Sequence, residues 1–326
     1  MRRHILATAT VAVAALSLAA CGTTEPSSDD SAASAKPAGK ITLTDAKGTK
    51  VTLDGPATKV VATEWNVVED LVSLGVAPVG VADVKGYTAW NTAAPLTGDP
   101  KDIGTRGEPS IDTVAALAPD LVVATSDLAP AVVKQLRKVA PVLEITSADA
   151  ADQIGTMTEG LDLIAKATGK EDRADTVKED FEASLAEGKK ALADAGLGGS
   201  EIASADGYVA SNQVSVRAYT GGSLLGAVNE RLGLKNAWTV KGDASYGLAT
   251  TDVEGLTGLG DVQFSYIAND VDGDAFADTL AKNAVWKSLP FVKDGNVHRL
   301  PDGVWMFGGP RSMEAYVDSL VDALTK

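Results

Sequence analysis

The sequence predicts an α/β fold, on three observations. Short β-type runs alternate with amphipathic helical stretches from Lys59 to Ile164, the same rhythm resumes after Gly199, and one long helical stretch separates the two blocks. That stretch, Glu171 to Gly196, carries Val177, Phe181 and Leu185 at four-residue steps, and Leu192 extends the line. One face is therefore apolar, while acids and lysines fill the others. Gly196, Gly198 and Gly199 stop the helix. At ~1.5 Å per residue it reaches roughly 35–40 Å, long for an element inside one compact lobe. Two arrangements satisfy the pattern: a rigid strut joining two lobes with a ligand cleft between them, or a surface helix of one large α/β domain.

The elements follow in order. Ile41 to Leu53 alternates around a Lys47-Gly48 turn, which predicts a hairpin. Strands are expected at Lys59–Ala62, Pro78–Ala82, Leu121–Ala124 and Val142–Ile145. Helices are expected at Val67–Leu74, closed by Gly75, and at Pro130–Val139. Ile154, Met157, Leu161 and Ile164 mark a further helix before the strut. Beyond it, strand signals occur at Ile202–Ser204, Tyr208–Ala210, Val214–Tyr219, Val262–Ala268 and Val297–Leu300. Helices are expected at Ser223–Leu232, ended by Gly233, and at Ser312–Leu324. No tandem repeat of solenoid period is present.

The chain of 326 residues has room for two domains and holds 29 basic against 44 acidic residues. Arg2 and Arg3 lie in an N-terminal leader, and without them the balance is 27 against 44, a net −17. Such a surface argues against broad contact with nucleic-acid phosphates. Arg2, Arg3 and His4 precede an apolar run from Ile5 to Ala20, too short and alanine-rich for a permanent span. The leader, 1–20, ends Leu18-Ala19-Ala20-Cys21, which resembles the bacterial lipoprotein cleavage box. That resemblance implies a diacylglyceryl group on Cys21 and attachment to the membrane. Residues 21–40, rich in Ser, Thr, Ala, Asp and Pro, read as a flexible tether. With one cysteine in the chain, an internal disulfide and any cysteine cluster for a metal are excluded.

Enzyme signatures are sparse. His298 is the one histidine beyond the leader, and no Walker loop occurs. Gly255-Leu256-Thr257-Gly258-Leu259-Gly260 has the wrong spacing for a dinucleotide and lacks a strand directly before it. Asp270-Val271-Asp272-Gly273-Asp274 has a calcium-like rhythm. It carries Ala275 where the EF-hand loop requires glycine and Ala281 where it requires the last acid, so it reads as a solvated loop. No resident cofactor or protein-held metal is expected; a metal handled here would arrive already chelated.

The informative block is Ile103-Gly104-Thr105-Arg106-Gly107-Glu108-Pro109-Ser110-Ile111-Asp112, continuing to Pro119-Asp120-Leu121. Ser110 suits a helix N-cap, and Arg106 falls in the loop before it, at the sheet rim where open α/β sheets bind ligands. This block resembles the "GTR-x-x-P-(S/N)-hydrophobic-acid…PDL" segment of iron–siderophore substrate-binding lipoproteins of ABC importers, the ferric citrate and hydroxamate type of periplasmic binding protein. Leu74 to Ala82 and Ala140-Pro141-Val142 fit the same pattern, as do Leu224–Leu234, Trp286–Leu289 and Trp305–Leu324. The resemblance covers nearly all of the chain beyond the tether. It implies two Rossmann-like α/β lobes joined by a single long helix, the class III type, with small hinge motion on binding. The lobes would be 41–170 and 197–326, with 171–196 as the connecting helix. A monomer is expected.

The same resemblance implies one exposed carboxylate on a helix of each lobe, engaging arginines of the permease. Asp112 holds that position in the first lobe, where glutamate is usual, and Glu254 in the second; Glu108 could replace Asp112. Cleft residues follow from ligand chemistry. A ferric siderophore presents oxygens around iron, which guanidinium groups bind by forked hydrogen bonds and aromatic rings cover. The first lobe offers Trp65, Tyr87, Trp90 and Arg106, and the second Arg217, Tyr219, Trp238, Tyr246, Trp305 and Arg311. Trp286 reads as packing. The expected ligand is a ferric siderophore of hydroxamate or hydroxamate–citrate type. Haem or a corrinoid is the alternative chelate, for which His298 is a poor axial ligand while Tyr87 or Tyr219 stays open. An extracytoplasmic hydrolase would need a nucleophile and base in the cleft, and a passive adhesin would need neither hinge nor lined cleft.

Overall fold

The computed structural model describes residues 39–210 and 213–326. The leader, Cys21 and all but the last two residues of the expected tether lie outside them. The described chain opens with the hairpin β1 (Ile41–Thr44) and β2 (Lys50–Leu53), antiparallel with Leu43 opposite Val51. The Asp45 carboxylate closes its turn by accepting from the Lys47 and Thr49 amides.

The first lobe follows as alternating strands and helices: β3 (Val60–Ala62), α1 (Trp65–Ser73), β4 (Gly80–Val81), α2 (Val84–Trp90), β5 (Lys101–Asp102), α3 (Ile111–Leu117), β6 (Leu121–Thr125), α4 (Pro130–Leu136) and β7 (Val142–Ile145). Its five strands are parallel in the order β5-β4-β3-β6-β7. Every residue of β3, β6 and β7 is buried, as a sheet covered on both faces requires. Two helices, α5 (Gln153–Thr168) and α6 (Glu171–Asp194), lead out of the lobe.

The second lobe contains β8 (Glu201–Ala210), β9 (Gln213–Tyr219), α7 (Leu224–Arg231), β10 (Lys235–Asn236), β11 (Leu248–Thr251) and β12 (Gln263–Ile267). It ends with α8 (Ala284–Ser288), α9 (Pro290–Lys293), β13 (Val297–Arg299) and α10 (Pro310–Thr325). Its sheet is mixed, ordered β11-β9-β8-β12-β13, with β10 beside the start of β8. The sequence divides β8 into two runs because Asp206 and Gly207 interrupt its apolar pattern. The strand is continuous because Asp206 stands opposite Arg217 of β9, which satisfies it.

The apolar core falls into three clusters. One joins the first sheet to α3 and α4 through Val122, Val114 and Leu136. Another joins the second sheet to α8 and α9 through Phe264, Trp286 and Phe291, so Trp286 is packing as expected. The largest is shared: Leu71 of α1, Leu161 of α5, Phe181 of α6, Leu225 of α7 and Tyr316 of α10 belong to it. Val177, Phe181, Leu185 and Leu192 of α6 are all buried, as their spacing predicts. Yet α6 is no free-standing rod. A Cβ at Gly188 would lie 2.6 Å from Val317 and 2.9 Å from Leu232, so α10 and α7 press against it there. The two sheets thus meet through a common helical layer. No helix among the described residues is long and apolar enough to cross a membrane.

Candidate ligand-binding cleft

Loops at the C-terminal edge of the first sheet and loops of the second sheet enclose a hollow of about 650 Å³. That volume lies within the ~300–1,000 Å³ range of small-molecule sites. Glu64, Trp65 and Asn66 enter it just after β3, Arg106 and Gly107 after β5, Thr125 and Asp127 from the end of β6, and Ser147 after β7. The second lobe supplies Arg217 from β9, Tyr246 and Leu248 at the start of β11, Asp272 after β12, and Trp305 and Phe307 after β13.

Local sequence explains these placements. Glu64 caps α1, accepting from the Trp65 amide at 2.8 Å, and the same oxygen accepts from Arg106 Nη1 at 2.8 Å. Trp65 is therefore the first residue of a helix expected to begin at Val67. Its indole is fixed by a 3.1 Å bond from Nε1 to the Ala82 carbonyl. The helix α2 has no sequence period, because it is two turns long and contains Gly86. That glycine is required: a Cβ there would meet the Trp65 ring at 2.4 Å and the Asp83 carboxylate at 2.2 Å. Trp90 is the last residue of that helix.

An aromatic floor runs between the two arginines. Trp305 packs edge-on to Trp65 at 4.7 Å, to Phe307 at 5.3 Å and to Trp90 at 5.9 Å, and Phe307 meets Tyr246 at 5.6 Å. The Arg106 guanidinium carbon lies 4.0 Å from the Trp65 ring centre and 5.3 Å from that of Trp305. Arg217 lies 5.1 Å from Phe307. Each cation thus rests on π faces and is also held by a carboxylate. Arg217 grips Asp206 with two nitrogens; burial pulls its pKa down, but its neighbours Tyr219 and Asp206 outweigh that and leave it above the ordinary value. Burial pushes the Asp127 carboxyl up, but hydrogen bonds from Thr125, Tyr246 and Ser147 outweigh it, so the group stays below its usual range and ionised.

Of the residues expected at the ligand, Trp65, Trp90, Arg106, Arg217, Tyr246 and Trp305 come together on these walls. Four do not. Tyr87 is wholly buried, its hydroxyl donating to the Ala94 carbonyl at 2.5 Å, and burial beside Glu69 and Asp70 keeps it protonated. Trp238 belongs to the core of the second lobe and donates to the Ser204 carbonyl at 2.9 Å. Tyr219 lies behind the wall, donating to Asp206 at 2.9 Å, so it positions the carboxylate that holds Arg217. Arg311 lies on α10, paired with Asp180 of α6 and Glu314, and braces the helical layer. Buried Tyr87 and Tyr219 are thereby removed as axial ligands to haem, and His298 bonds Gln263 at 2.7 Å outside the cleft.

Sequence reasoning missed Glu64, Asn66, Asp127, Ser147, Asp272 and Phe307. The position of Asp127 and Ser147 just beyond β6 and β7 was a usable signal, since parallel strands deliver their C-terminal loops to ligands. Asp272 was read as part of a solvated loop. In the fold it accepts from Trp90 Nε1 at 2.8 Å, while its neighbours Asp270 and Asp274 pair with Arg299. Asp112 is exposed in the first turn of α3, capped by Ser110 as expected. Glu254 is exposed but precedes a short 3-10 turn, Gly255–Gly258, rather than lying on an α-helix.

Two α/β lobes around a lined hollow, joined by a shared helical layer, define a solute-binding protein of the class III type. The characteristic sequence of the periplasmic binding proteins matches residues 60–303, and the chain belongs to that family. It is 31% identical over 290 residues to the Fe(3+)-citrate-binding protein YfmC of Bacillus subtilis, covering 85% of this chain and 83% of that one. It is 25% identical over 270 residues to the iron(3+)-hydroxamate-binding protein FhuD of Escherichia coli, covering 82% and 86%. Among solved structures it resembles FhuD of Vibrio cholerae bound to Fe3+–Desferal, with a TM-score of 0.74 and 25% identity, covering 82% of this chain and 98% of that one.

Proposed function

We propose that this protein captures a ferric siderophore of hydroxamate or hydroxamate–citrate type outside the cytoplasm and delivers it to an ABC importer. The observation that carries the reading is the cleft itself. Two guanidiniums lie on a continuous aromatic floor, one from each lobe, facing a hollow the size of a small-molecule site. Guanidinium N–H groups suit the oxygens that surround chelated iron, and the rings suit its organic scaffold. The ligand would be held without making or breaking a bond, so the protein is no enzyme in this reading. The printed names of the relatives, ferric citrate and ferric hydroxamate binders, support the ligand class.

In this reading residues 41–170 and 197–326 act as the lobes and 171–196 as the connecting helix. A lipid on Cys21 holds a monomer to the membrane through the tether 21–40. Asp112, or Glu108 beside it, and Glu254 dock onto permease arginines. Titration of the purified protein with ferric hydroxamate, ferric citrate, ferric catecholate, haem and a corrinoid tests the ligand class. A ferric siderophore should saturate one site at sub-micromolar concentration. Binding of haem or the corrinoid alone would transfer the protein to the alternative class, and binding of none would reject the transport reading.

A further inference from the structure

The cleft walls carry more negative than positive charge. Arg106 already serves Glu64, and Arg217 already serves Asp206. Asp127 and Asp272 line the same hollow, and among the described residues neither has a cationic partner. Asp127 accepts from the Tyr246 hydroxyl at 2.9 Å and Asp272 from Trp90 Nε1 at 2.8 Å, both neutral donors. The lining therefore holds two guanidiniums against the carboxylates of Glu64, Asp127 and Asp272, with Asp206 behind Arg217.

Donors nevertheless remain. A guanidinium has five N–H groups, and the carboxylates use only one from Arg106 and two from Arg217. Trp305 is 6% exposed, lines the hollow, and its Nε1 has no acceptor among the described residues. That nitrogen is itself buried in this conformation, so the donors left to a ligand are those of the two guanidiniums. The site thus offers directional hydrogen bonds without a positive field. Trp65, Trp90 and Trp305 also line the hollow, and aromatic rings carry a quadrupole that favours cations.

Ferric chelates differ in charge. Three hydroxamates lose one proton each to iron(III), which leaves an uncharged core, and an amine tail makes the complex cationic. Citrate complexes keep free carboxylates, and three catecholates leave a trianion. We infer that this cleft selects by charge, accepting uncharged or cationic ferric hydroxamates and rejecting chelates with free carboxylate or catecholate charge. This rests on the chelate-binding reading above and narrows it. A polyanion would face Asp127 and Asp272 with only neutralised arginines to meet it, and like charges repel. The selection differs from the one named for the 31% identical relative, a ferric citrate binder.

A charge series on one scaffold tests this: Fe3+–Desferal with its free amine, the N-acetylated form and the N-succinylated form, alongside ferric citrate. The amine and acetyl forms should bind about tenfold or more tightly than the succinyl form, and more tightly than citrate. Asp127→Asn and Asp272→Asn, read as the ratio of affinities within each folded variant, should narrow that gap. Equal or tighter binding of the succinyl form, or preference for citrate, overturns the inference while leaving chelate binding intact. An unchanged ratio in both variants overturns the role of these two carboxylates. Silence toward the whole set, citrate included, removes the chelate-binding reading and this inference with it.

Discussion

Trp90 Nε1 donates to Asp272 Oδ2 at 2.8 Å, linking the last residue of α2 in one lobe to the loop after β12 in the other. Beside it, Asn269 donates to the Ala89 carbonyl at 2.7 Å and the Thr92 amide to the Gly303 carbonyl at 3.0 Å. On the opposite wall Tyr246 reaches Asp127 at 2.9 Å, and Gln153 of α5 reaches the Gly222 and Ser245 carbonyls. The cleft is therefore bridged on both sides in this conformation.

Trp90→Phe keeps the ring but removes the bridge to Asp272. A neutral-to-charged bond at a half-exposed site contributes about 0.5–1.5 kcal/mol. Dissociation of a bound ferric chelate should accelerate by up to about tenfold, with association little changed. Stopped-flow displacement measures both rates. Unaltered dissociation would show that this bridge does not retain ligand.

The two arginines should respond differently to removal. Arg106→Ala frees Glu64, a quarter exposed and able to find water, so ligand affinity should fall about tenfold or more while melting stays near wild type. Arg217→Ala strands Asp206, whose side chain is 9% exposed. Fully buried pairs lose about 3–5 kcal/mol when broken. Arg217 is partly exposed, so the loss should be roughly 1–3 kcal/mol, seen as a lower melting temperature without ligand. Equal melting of both variants would contradict the assignment of Asp206 to Arg217.

Stability should fall as pH rises, because of two buried acids on α1. Glu69 receives the Ser312 amide at 2.8 Å, the Ser312 hydroxyl at 2.5 Å and Asn91 Nδ2 at 2.6 Å, yet burial still raises its pKa. Burial, reinforced by the charge of Glu69, pushes Asp70 further up, and its Oδ1 has no partner among the described residues. Both groups bind protons more tightly in the folded chain than in the unfolded one. Their contribution is thus complete below the ordinary carboxylate range and is lost as pH climbs through their raised values. Asp70→Asn cannot ionise. It should melt above wild type at pH 8 by about 1–3 kcal/mol equivalent, with the gap closing toward pH 5. Parallel pH profiles in thermal melts would refute this.

Glu254→Ala should leave ligand affinity unchanged, since the residue is exposed and outside the cleft, but should lower uptake in iron-starved cells severalfold. Asp112→Ala should act in the same direction, and the double variant more strongly. Uptake equal to wild type in the double variant would reject the docking role.

Much of the fold was legible because its signals are local. Buried strands such as β6 are unbroken apolar runs, and the α6 face repeats every four residues. What was not legible depends on partners distant in sequence. Asp206 looks like a strand breaker until Arg217 stands opposite it. Tyr219 and Arg217 are two residues apart on β9 with side chains on the same face, yet Tyr219 packs inward and only Arg217 reaches the hollow, a matter of depth that alternation cannot supply. Likewise Tyr87 and Trp90 share a short helix but take opposite fates, core and cleft, through the turn of α2. The acidic members of the cleft were missed because each resembles a loop carboxylate until the opposite lobe stands across from it.

Three tryptophans, Trp65, Trp90 and Trp305, line the cleft, whereas Trp238 and Trp286 lie in the core of the second lobe. Tryptophan emission during titration with Fe3+–Desferal therefore tests the central claim most directly. Saturable quenching at sub-micromolar ligand is expected, and it should largely vanish when Trp65, Trp90 and Trp305 are replaced by phenylalanine while Trp238 and Trp286 remain. Quenching that survives in the triple variant, or emission unmoved by any ferric chelate, would contradict binding between the lobes.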